Sequence, residues 1–330
     1  MRTLVLGGSV FLSKAVAREA LRRGHEVVCA ARGRTGSVPD GARLVTVDRN
    51  TPDAYRELAG ERFDTVVDVA GYSYPWVADA LAALGDRVGH WTFVSTVNVY
   101  ADTTTLGQRP DAALVAPRQE AGDQNAVDAD LYGAIKVASE NAVREAFGDR
   151  AFVVRPGLIT GPGDRSDRFG YWPGRLSRGG RVLVPADNGQ LTQHIDVRDL
   201  ADWIVTAGEQ GISGSYDGIG PARGLTGLLR EMAEVLDTEV ELVAASEQAL
   251  TEAGVSYWGG PKSLPLWVPA DLAGFCAHDP AESLAAGLRP RPFADAVAGA
   301  LGQERALGLD RARKAGLSLA EEAEVLAALA

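Results

Sequence analysis

The first thirty residues hold a strand, a glycine turn, a helix and a second strand in immediate succession. The apolar run Leu4-Val5-Leu6 ends at Gly7-Gly8, residues 14–23 continue with helical spacing, and residues 25–30 form the next apolar run. A glycine turn between strand and helix lets a phosphate approach the backbone, and the helix N-terminus offers unpaired N–H groups to it. The segment therefore predicts a dinucleotide-binding unit, although a structural turn in another α/β protein is the alternative.

A tyrosine and a lysine lie four residues apart in a later helical segment. Tyr132 and Lys136 should project from one face of that helix. An ammonium close to a phenol favours the phenolate, so it lowers the phenol pKa towards a value useful for proton transfer. This spacing arises by chance in many helices, where it means two solvated side chains. Its significance comes from the glycine turn upstream.

Further segments accompany these two motifs in a consistent order along the chain. They are residues 92–100, 153–157, 161–164 and 194–201. Together with the glycine turn and the tyrosine–lysine pair, they resemble the short-chain dehydrogenase/reductase superfamily, in its extended, NAD-dependent epimerase/dehydratase-like branch. The resemblance runs over most of the chain. It implies an α/β fold, with a doubly wound parallel (Rossmann) sheet and a smaller, discontinuous C-terminal α/β cap.

The resemblance also implies a catalytic set of Thr96, Tyr132 and Lys136. Thr96 would orient the substrate oxygen, Tyr132 would give or take its proton, and Lys136 would keep the phenol pKa low and hold the nicotinamide ribose. A ketone would be reduced, or a secondary alcohol oxidised, by hydride transfer. An epimerase of a sugar or nucleotide sugar, with retained cofactor, is the alternative. A non-catalytic nicotinamide-nucleotide sensor that binds a protein partner is an alternative of another class.

The glycine turn departs from the pattern of this family, which has glycines at the positions of Gly7, Val10 and Ser13. We expect binding through Gly7, Gly8 and the helix end, with a slightly displaced turn. The second strand ends without a carboxylate but with Arg32 and Arg34, and guanidinium groups suit a 2′-phosphate. NADP is therefore favoured, and NAD is the alternative. The expected cofactor contacts are Gly7, Gly8, Val10, Phe11, Leu12, Arg32, Arg34, Asp48, Ala70, Gly71, Ser95, Tyr132, Lys136, Pro156 and Gly157.

Two neighbouring positions narrow the reaction. Related 4,6-dehydratases follow the threonine with Asp-Glu, whereas this chain has Val97 and Asn98, so that reaction is disfavoured. Nucleotide-sugar epimerases usually carry an asparagine where this chain has Leu158, which weakens a nucleotide-sugar substrate. A ketone reductase or alcohol dehydrogenase for a small metabolite is the interpretation that remains.

The second half of the chain is richer in glycine, proline and aromatic residues, and this texture predicts the substrate region. The expected substrate contacts are Asn98, Arg165, Arg168, Tyr171, Trp172 and Trp258. The alternative is that the aromatic residues close the core of the cap. We expect residues 1–160 and about 196–235 to form the dinucleotide-binding domain. Residues about 161–195 and 236–330 would form the cap, with a C-terminal helix from Ser318.

Composition excludes other classes of protein. The 330 residues carry a net charge of −11, which argues against nucleic acid as a partner. The four histidines show no ligand spacing, so no metal is expected. Two cysteines in apolar surroundings, the lack of a membrane-spanning run and a strand that starts at residue 3 lead us to expect a cytoplasmic protein. A homodimer through two long helices is compatible with the resemblance.

Overall fold

The computed structural model describes residues 1–69, 71–122 and 128–329. Ala70, one of the expected cofactor contacts, lies outside the described residues. Strands and helices alternate along the first half of the chain. They are β1 (Arg2–Leu6), α1 (Phe11–Arg22), β2 (Glu26–Ala31), β3 (Arg43–Thr46), β4 (Phe63–Asp68), α2 (Tyr74–Leu84), β5 (Val88–Val94), α3 (Ala129–Phe147) and β6 (Ala151–Pro156).

The second half contains shorter strands between its helices. Its first elements are β7 (Ile159–Thr160), α4 (Arg168–Leu176), β8 (Gly180–Pro185), β9 (Leu191–Thr192), β10 (Ile195–Asp196), α5 (Val197–Gln210), β11 (Gly214–Gly218), β12 (Arg223–Gly224) and α6 (Leu225–Val235). The remaining elements are β13 (Val240–Ala245), α7 (Glu247–Glu252), β14 (Ser256–Tyr257), β15 (Gly260–Pro261), β16 (Ser263–Leu264), α8 (Ala281–Ala285), α9 (Phe293–Leu307), β17 (Ala315–Gly316) and α10 (Leu319–Ala328).

Seven strands form one parallel sheet in the order β11-β6-β5-β4-β1-β2-β3. Alternate strand residues face opposite sides: Leu4 packs with α2 and α3, whereas Val5 packs with α1 and α5. Both faces are covered, as expected for a parallel sheet. The predicted doubly wound Rossmann sheet is confirmed. The strand order reverses between β1 and β4, so the chain segments after β1, β4 and β5 leave the sheet at the edge where such folds bind ligands.

The rest of the chain builds a second apolar cluster around the parallel pair β8–β13 and helices α4, α6, α9 and α10. Helix α6 belongs to this cluster, through Leu228, Leu229 and Met232, whereas the sequence interpretation grouped it with the dinucleotide-binding domain. The predicted C-terminal helix packs here through Val325 and Leu326. Its Ser318 accepts a hydrogen bond from the backbone N–H of Glu321, which forms a capping box.

Two expected substrate contacts lie inside this cluster. Tyr171 and Trp172 are on α4, and the side chain of Trp172 is 0% exposed and donates its indole N–H to the carbonyl of Pro265 at 2.8 Å. Burial of the aromatic face of α4 against β8 and α6 explains this placement, because large rings contribute most when they are removed from water. The expectation that these two side chains contact substrate is therefore corrected in favour of the core role.

Candidate active site

The candidate catalytic threonine follows the C-terminal end of β5. The strand ends at Val94, earlier than the apolar run predicted, because the Thr96 side chain accepts a hydrogen bond from the backbone N–H of Asn98 and starts a turn over Val97–Val99. The Thr96 hydroxyl also donates to the Asn98 side-chain oxygen at 2.8 Å. Asn98, an expected substrate contact, thus holds Thr96 in position from the same turn.

Tyr132 reaches Thr96 because α3 packs unusually close to this turn. The helix is capped at its start by Asp128, whose carboxylate accepts from the N–H groups of Asp130 and Leu131. Gly133 then lies against the carbonyl of Asn98, and a Cβ atom at this position would overlap that oxygen. The residue after the tyrosine therefore sets the distance between helix and turn, a role that the sequence interpretation missed.

The Lys136 amine is buried and Tyr132 is partly buried, and burial moves the pKa values of the two groups in opposite directions. Burial raises the pKa of Tyr132 above its usual value and nearby Tyr72 adds to the increase, whereas a hydrogen bond with Thr96 opposes it. Burial lowers the pKa of Lys136 to about 8, against the attraction of Asp68 and Glu140. Both shifts follow from the cost of a charge in a poorly hydrated site.

The expected role of Lys136 in lowering the phenol pKa is not what this geometry shows. The Lys136 amine donates to the carbonyl of Val94 at 2.6 Å and lies 5.6 Å from the centre of the Tyr132 ring. A Cβ atom at Gly71 would overlap the amine. The lysine is therefore held between β5 and the chain after β4, and burial favours the neutral form of Tyr132.

A buried polar network supports the site from below. The Glu140 carboxylate accepts from Ser95 at 2.5 Å and from Arg155 at 2.8 and 3.0 Å. Arg155 also donates to the Tyr100 hydroxyl, which donates to Asp217 at 2.5 Å. The side chain of Ser95, an expected cofactor contact, is therefore held by Glu140. Glu140 was not predicted, although it lies four residues after Lys136 on the same helix.

A second buried ion pair stands beside the lysine. Arg49 binds both oxygens of Asp68, at 2.8 and 2.9 Å, and donates to the carbonyl of Trp76 at 2.6 Å. Asp68 ends β4 and is one of the carboxylates that favour the protonated form of Lys136. Arg49 follows Asp48 directly, so this ion pair fixes the end of β3 against β4.

The turn after β1 has backbone angles that favour glycine at both of its glycine positions. Gly7 and Gly8 have φ angles of +128° and +100°, and a Cβ atom at Gly8 would overlap the Cys29 sulfur. Ser13 packs against Gly7, so the small residue in place of the third glycine allows close helix–strand packing. Val10 immediately precedes α1 and is 49% exposed. Phe11 and Leu12 follow in the first turn of the helix, whose N–H groups suit an anion.

The end of β2 carries the cations expected at a 2′-phosphate. Arg32 and Arg34 are exposed, and within the described ranges neither forms an ion pair. Lys14, which the sequence interpretation missed, lies in the first turns of α1 and donates to the Ser37 hydroxyl at 3.1 Å. Asp48 is partly buried at the end of β3, where its carboxylate accepts from the backbone and side chain of Asn50.

The remaining expected contacts divide between the sheet edge and the C-terminal half. Pro156 ends β6, and Gly157 follows it with Ile219 close by. Arg165 is exposed, whereas Arg168 is partly buried and its guanidinium lies 5.1 Å from the centre of the Trp258 ring. The structure also brings Tyr72 to this region, a residue that the sequence interpretation missed. Its ring centre lies 5.4 Å from that of Tyr132.

The described parts of the chain contain neither a metal-binding cluster nor a membrane-spanning helix. Among the residues that the structure describes, no group of three histidine, cysteine, aspartate or glutamate side chains is arranged to hold a metal ion. None of the helices in those ranges is both long and apolar enough to cross a membrane.

Comparison with known proteins identifies relatives among epimerases, dehydratases and reductases. Residues 3–217 match the profile of the NAD dependent epimerase/dehydratase family. The chain is 33% identical over 198 residues to the 2′-dehydrokanamycin reductase of Streptomyces kanamyceticus, which covers 57% of this chain and 52% of that protein. The match thus spans about half the length of that relative.

Two further matches extend over more of the chain. It is 28% identical over 292 residues to the epimerase family protein SDR39U1 of Bos taurus, covering 80% of this chain and 92% of that protein. Among solved structures, the UDP-N-acetylglucosamine 4-epimerase from Bacillus cereus is similar with a TM-score of 0.67 and 16% identity, covering 96% of this chain and 100% of that one. At this identity the similarity shows the fold alone.

Proposed function

The chain belongs to the NAD dependent epimerase/dehydratase family and is an enzyme of the extended short-chain dehydrogenase/reductase type, and from this premise we propose that it reduces a ketone of a small metabolite, or oxidises the corresponding secondary alcohol. The observation that carries the proposal is the position of the Tyr132 phenol on α3, which packs against the Thr96 turn at the ligand-binding edge of the sheet. A phenol that stays neutral at pH 7 is the form that can donate a proton.

The nicotinamide cofactor, when bound, supplies or accepts the hydride at the carbon atom. The residues of this chain handle the oxygen. Tyr132 would donate to the carbonyl oxygen, Thr96 would do so when its hydroxyl turns from Asn98, and the phenol proton would move to that oxygen as the carbon is reduced. In the oxidising direction the proton returns to the phenol. Lys136 would hold the ribose beside Tyr132, which positions the reacting atoms close together.

We also propose that the cofactor is NADP. The support is the cluster of Lys14, Arg32 and Arg34 at the end of β2, where no carboxylate is available for a ribose hydroxyl. A guanidinium group binds phosphate oxygens through parallel hydrogen bonds. Calorimetric titration with NADPH and NADH tests this: substitution of Arg32 by Gln should weaken NADPH binding by about 10-fold and leave NADH binding unchanged. Equal loss for both nucleotides would contradict it.

The position equivalent to a nucleotide-contacting asparagine supports a reductase over a nucleotide-sugar epimerase. Leu158 occupies it and is buried in the C-terminal apolar cluster, so it offers no hydrogen bond to a diphosphate. An epimerase retains its cofactor through each cycle, whereas a reductase exchanges it. If the protein is a reductase, the purified protein should release no nicotinamide nucleotide when it is denatured. Stoichiometric release would instead favour the epimerase.

The decisive experiment removes the hydroxyl group of Tyr132. Tyr132→Phe should lower ketone-dependent NADPH oxidation by at least about 100-fold, the lower range for loss of a general acid, while leaving cofactor affinity unchanged. Tyr216→Phe is the matched control, because its ring packs against Phe152 and Trp203 away from the site. Activity that survives in Tyr132→Phe would refute the catalytic assignment.

A further inference from the structure

One guanidinium in the C-terminal half differs from its neighbours. Arg175 pairs with Glu322 at 2.5 Å, Arg198 with Asp196 at 2.7 Å, and Arg313 with Glu304 at 2.5 Å. Arg168 is partly buried, yet across residues 1–69, 71–122 and 128–329 its side chain has no carboxylate within 4.0 Å and no hydrogen-bond acceptor. A positive charge that is partly removed from water without a partner is costly, which points to a missing anion.

The ring of Trp258 fixes the guanidinium in place. The Arg168 guanidinium carbon lies 5.1 Å from the centre of that ring, within the range of a cation–π contact. Trp258 itself has a φ angle of +61°, an uncommon conformation for a bulky residue. Its backbone N–H donates to the backbone carbonyl of Trp267 at 2.9 Å. Backbone strain of this kind is concentrated at ligand sites, where surrounding contacts enforce it.

Tyr72 connects this guanidinium to the reacting phenol. It follows β4 and is 38% exposed. Its ring stacks at 5.4 Å from the ring of Tyr132, and its hydroxyl interacts electrostatically with both Tyr132 and Arg168. The unpaired cation and the proton donor are therefore both within electrostatic range of the same tyrosine.

We propose that Arg168 and Trp258 form a subsite for an oxyanion, a carboxylate or phosphate ester, carried by the carbonyl substrate. The inference rests on the proposed function, because it assumes that the carbonyl lies at Tyr132. A guanidinium stacked on an aromatic face presents its remaining N–H groups in a plane, which suits two oxygens of one anion. Asp164 attracts the Arg168 charge but accepts from the backbone N–H of Ser166 and does not pair with Arg168, so it leaves the donors available.

Paired probes test the subsite. Reduction of benzoylformate is compared with that of its methyl ester, and reduction of dihydroxyacetone phosphate with that of dihydroxyacetone, in wild type and Arg168→Met. The substitution should lower kcat/KM for the anionic member of a pair by about 10- to 100-fold, and change that for the neutral member by less than about 3-fold. The pair that responds identifies carboxylate or phosphate. Arg168→Lys should give an intermediate loss, because it keeps the charge and loses the planar fork.

A matched control and a second measurement keep the result interpretable. Arg230→Met removes an exposed guanidinium from α6 and should leave all ratios unchanged. Benzoate and inorganic phosphate are also titrated by calorimetry into the NADPH-loaded protein. Anion binding that weakens about 10-fold in Arg168→Met supports the subsite even if no probe is reduced. The absence of reduction would then count against the proposed function and not against the subsite. Tyr132-dependent reduction with equal losses for charged and neutral probes would overturn the subsite and leave the proposed function standing.

Discussion

Replacing Lys136 by methionine should stabilise the protein at neutral pH while it abolishes activity. The lysine is 2% exposed, and burial lowers its pKa from 10.5 to about 8. Each tenfold change in proton affinity corresponds to about 1.4 kcal/mol, so the protonated amine costs the folded state about 3 kcal/mol at pH 7. The variant also loses the hydrogen bond to Val94, which destabilises it by about 1 kcal/mol. The net increase in the free energy of unfolding is therefore about 2 kcal/mol.

The pH dependence distinguishes this cause from a simple packing effect. Because the folded-state pKa is lower than that of the unfolded chain, the unfolded state binds more protons between pH 8 and 10.5. Wild-type stability therefore rises through this window relative to Lys136→Met. The advantage of the variant should be full below pH 8 and should shrink to near zero by about pH 10, where the lysine is neutral in the folded state.

Urea unfolding followed by tryptophan fluorescence at pH 7, 9 and 10 measures the difference. Lys314→Met is the control: this lysine is exposed, so its loss should change stability by less than about 0.5 kcal/mol at each pH. A Lys136→Met variant that is less stable than wild type at pH 7, or a difference that does not vary with pH, would refute the reasoning.

Three other substitutions follow from close contacts. Gly133→Ala should push α3 away from the turn at Asn98 and lower kcat by at least about 10-fold with little change in NADPH affinity; unchanged steady-state kinetics would contradict this. Gly8 has a φ of +100° and lies against Cys29, so Gly8→Ala should destabilise the fold by about 2 to 4 kcal/mol in urea unfolding and weaken NADPH binding. A stable variant with normal NADPH affinity would be inconsistent with the turn described. Glu140→Gln should cost about 3 to 5 kcal/mol of stability, because it leaves the buried Arg155 without its charge partner; a loss under 1 kcal/mol would show that the pair is not needed.

Local patterns were sufficient for the sheet and for the candidate pair on α3. The alternation of apolar runs with helical spacing predicted the parallel strands, since both faces of such a sheet are covered. The four-residue spacing placed Tyr132 and Lys136 on one face, because a helical turn has 3.6 residues. The sequence also indicated which residues of the glycine turn must lack a side chain. It did not indicate that Gly8 packs against Cys29.

The contacts that decide the chemistry join residues far apart in the sequence, and only the tertiary structure brings them together. Tyr72 meets Tyr132 across two elements, and Arg168 meets Trp258 across ninety positions of intervening chain. Composition could not separate Trp258, partly buried against the second cluster and in contact with Arg168, from Trp172, buried inside that cluster, because both are aromatic residues in similar segments. Burial itself is a property of the packed chain, and it is burial that raises the pKa of Tyr132 and lowers that of Lys136.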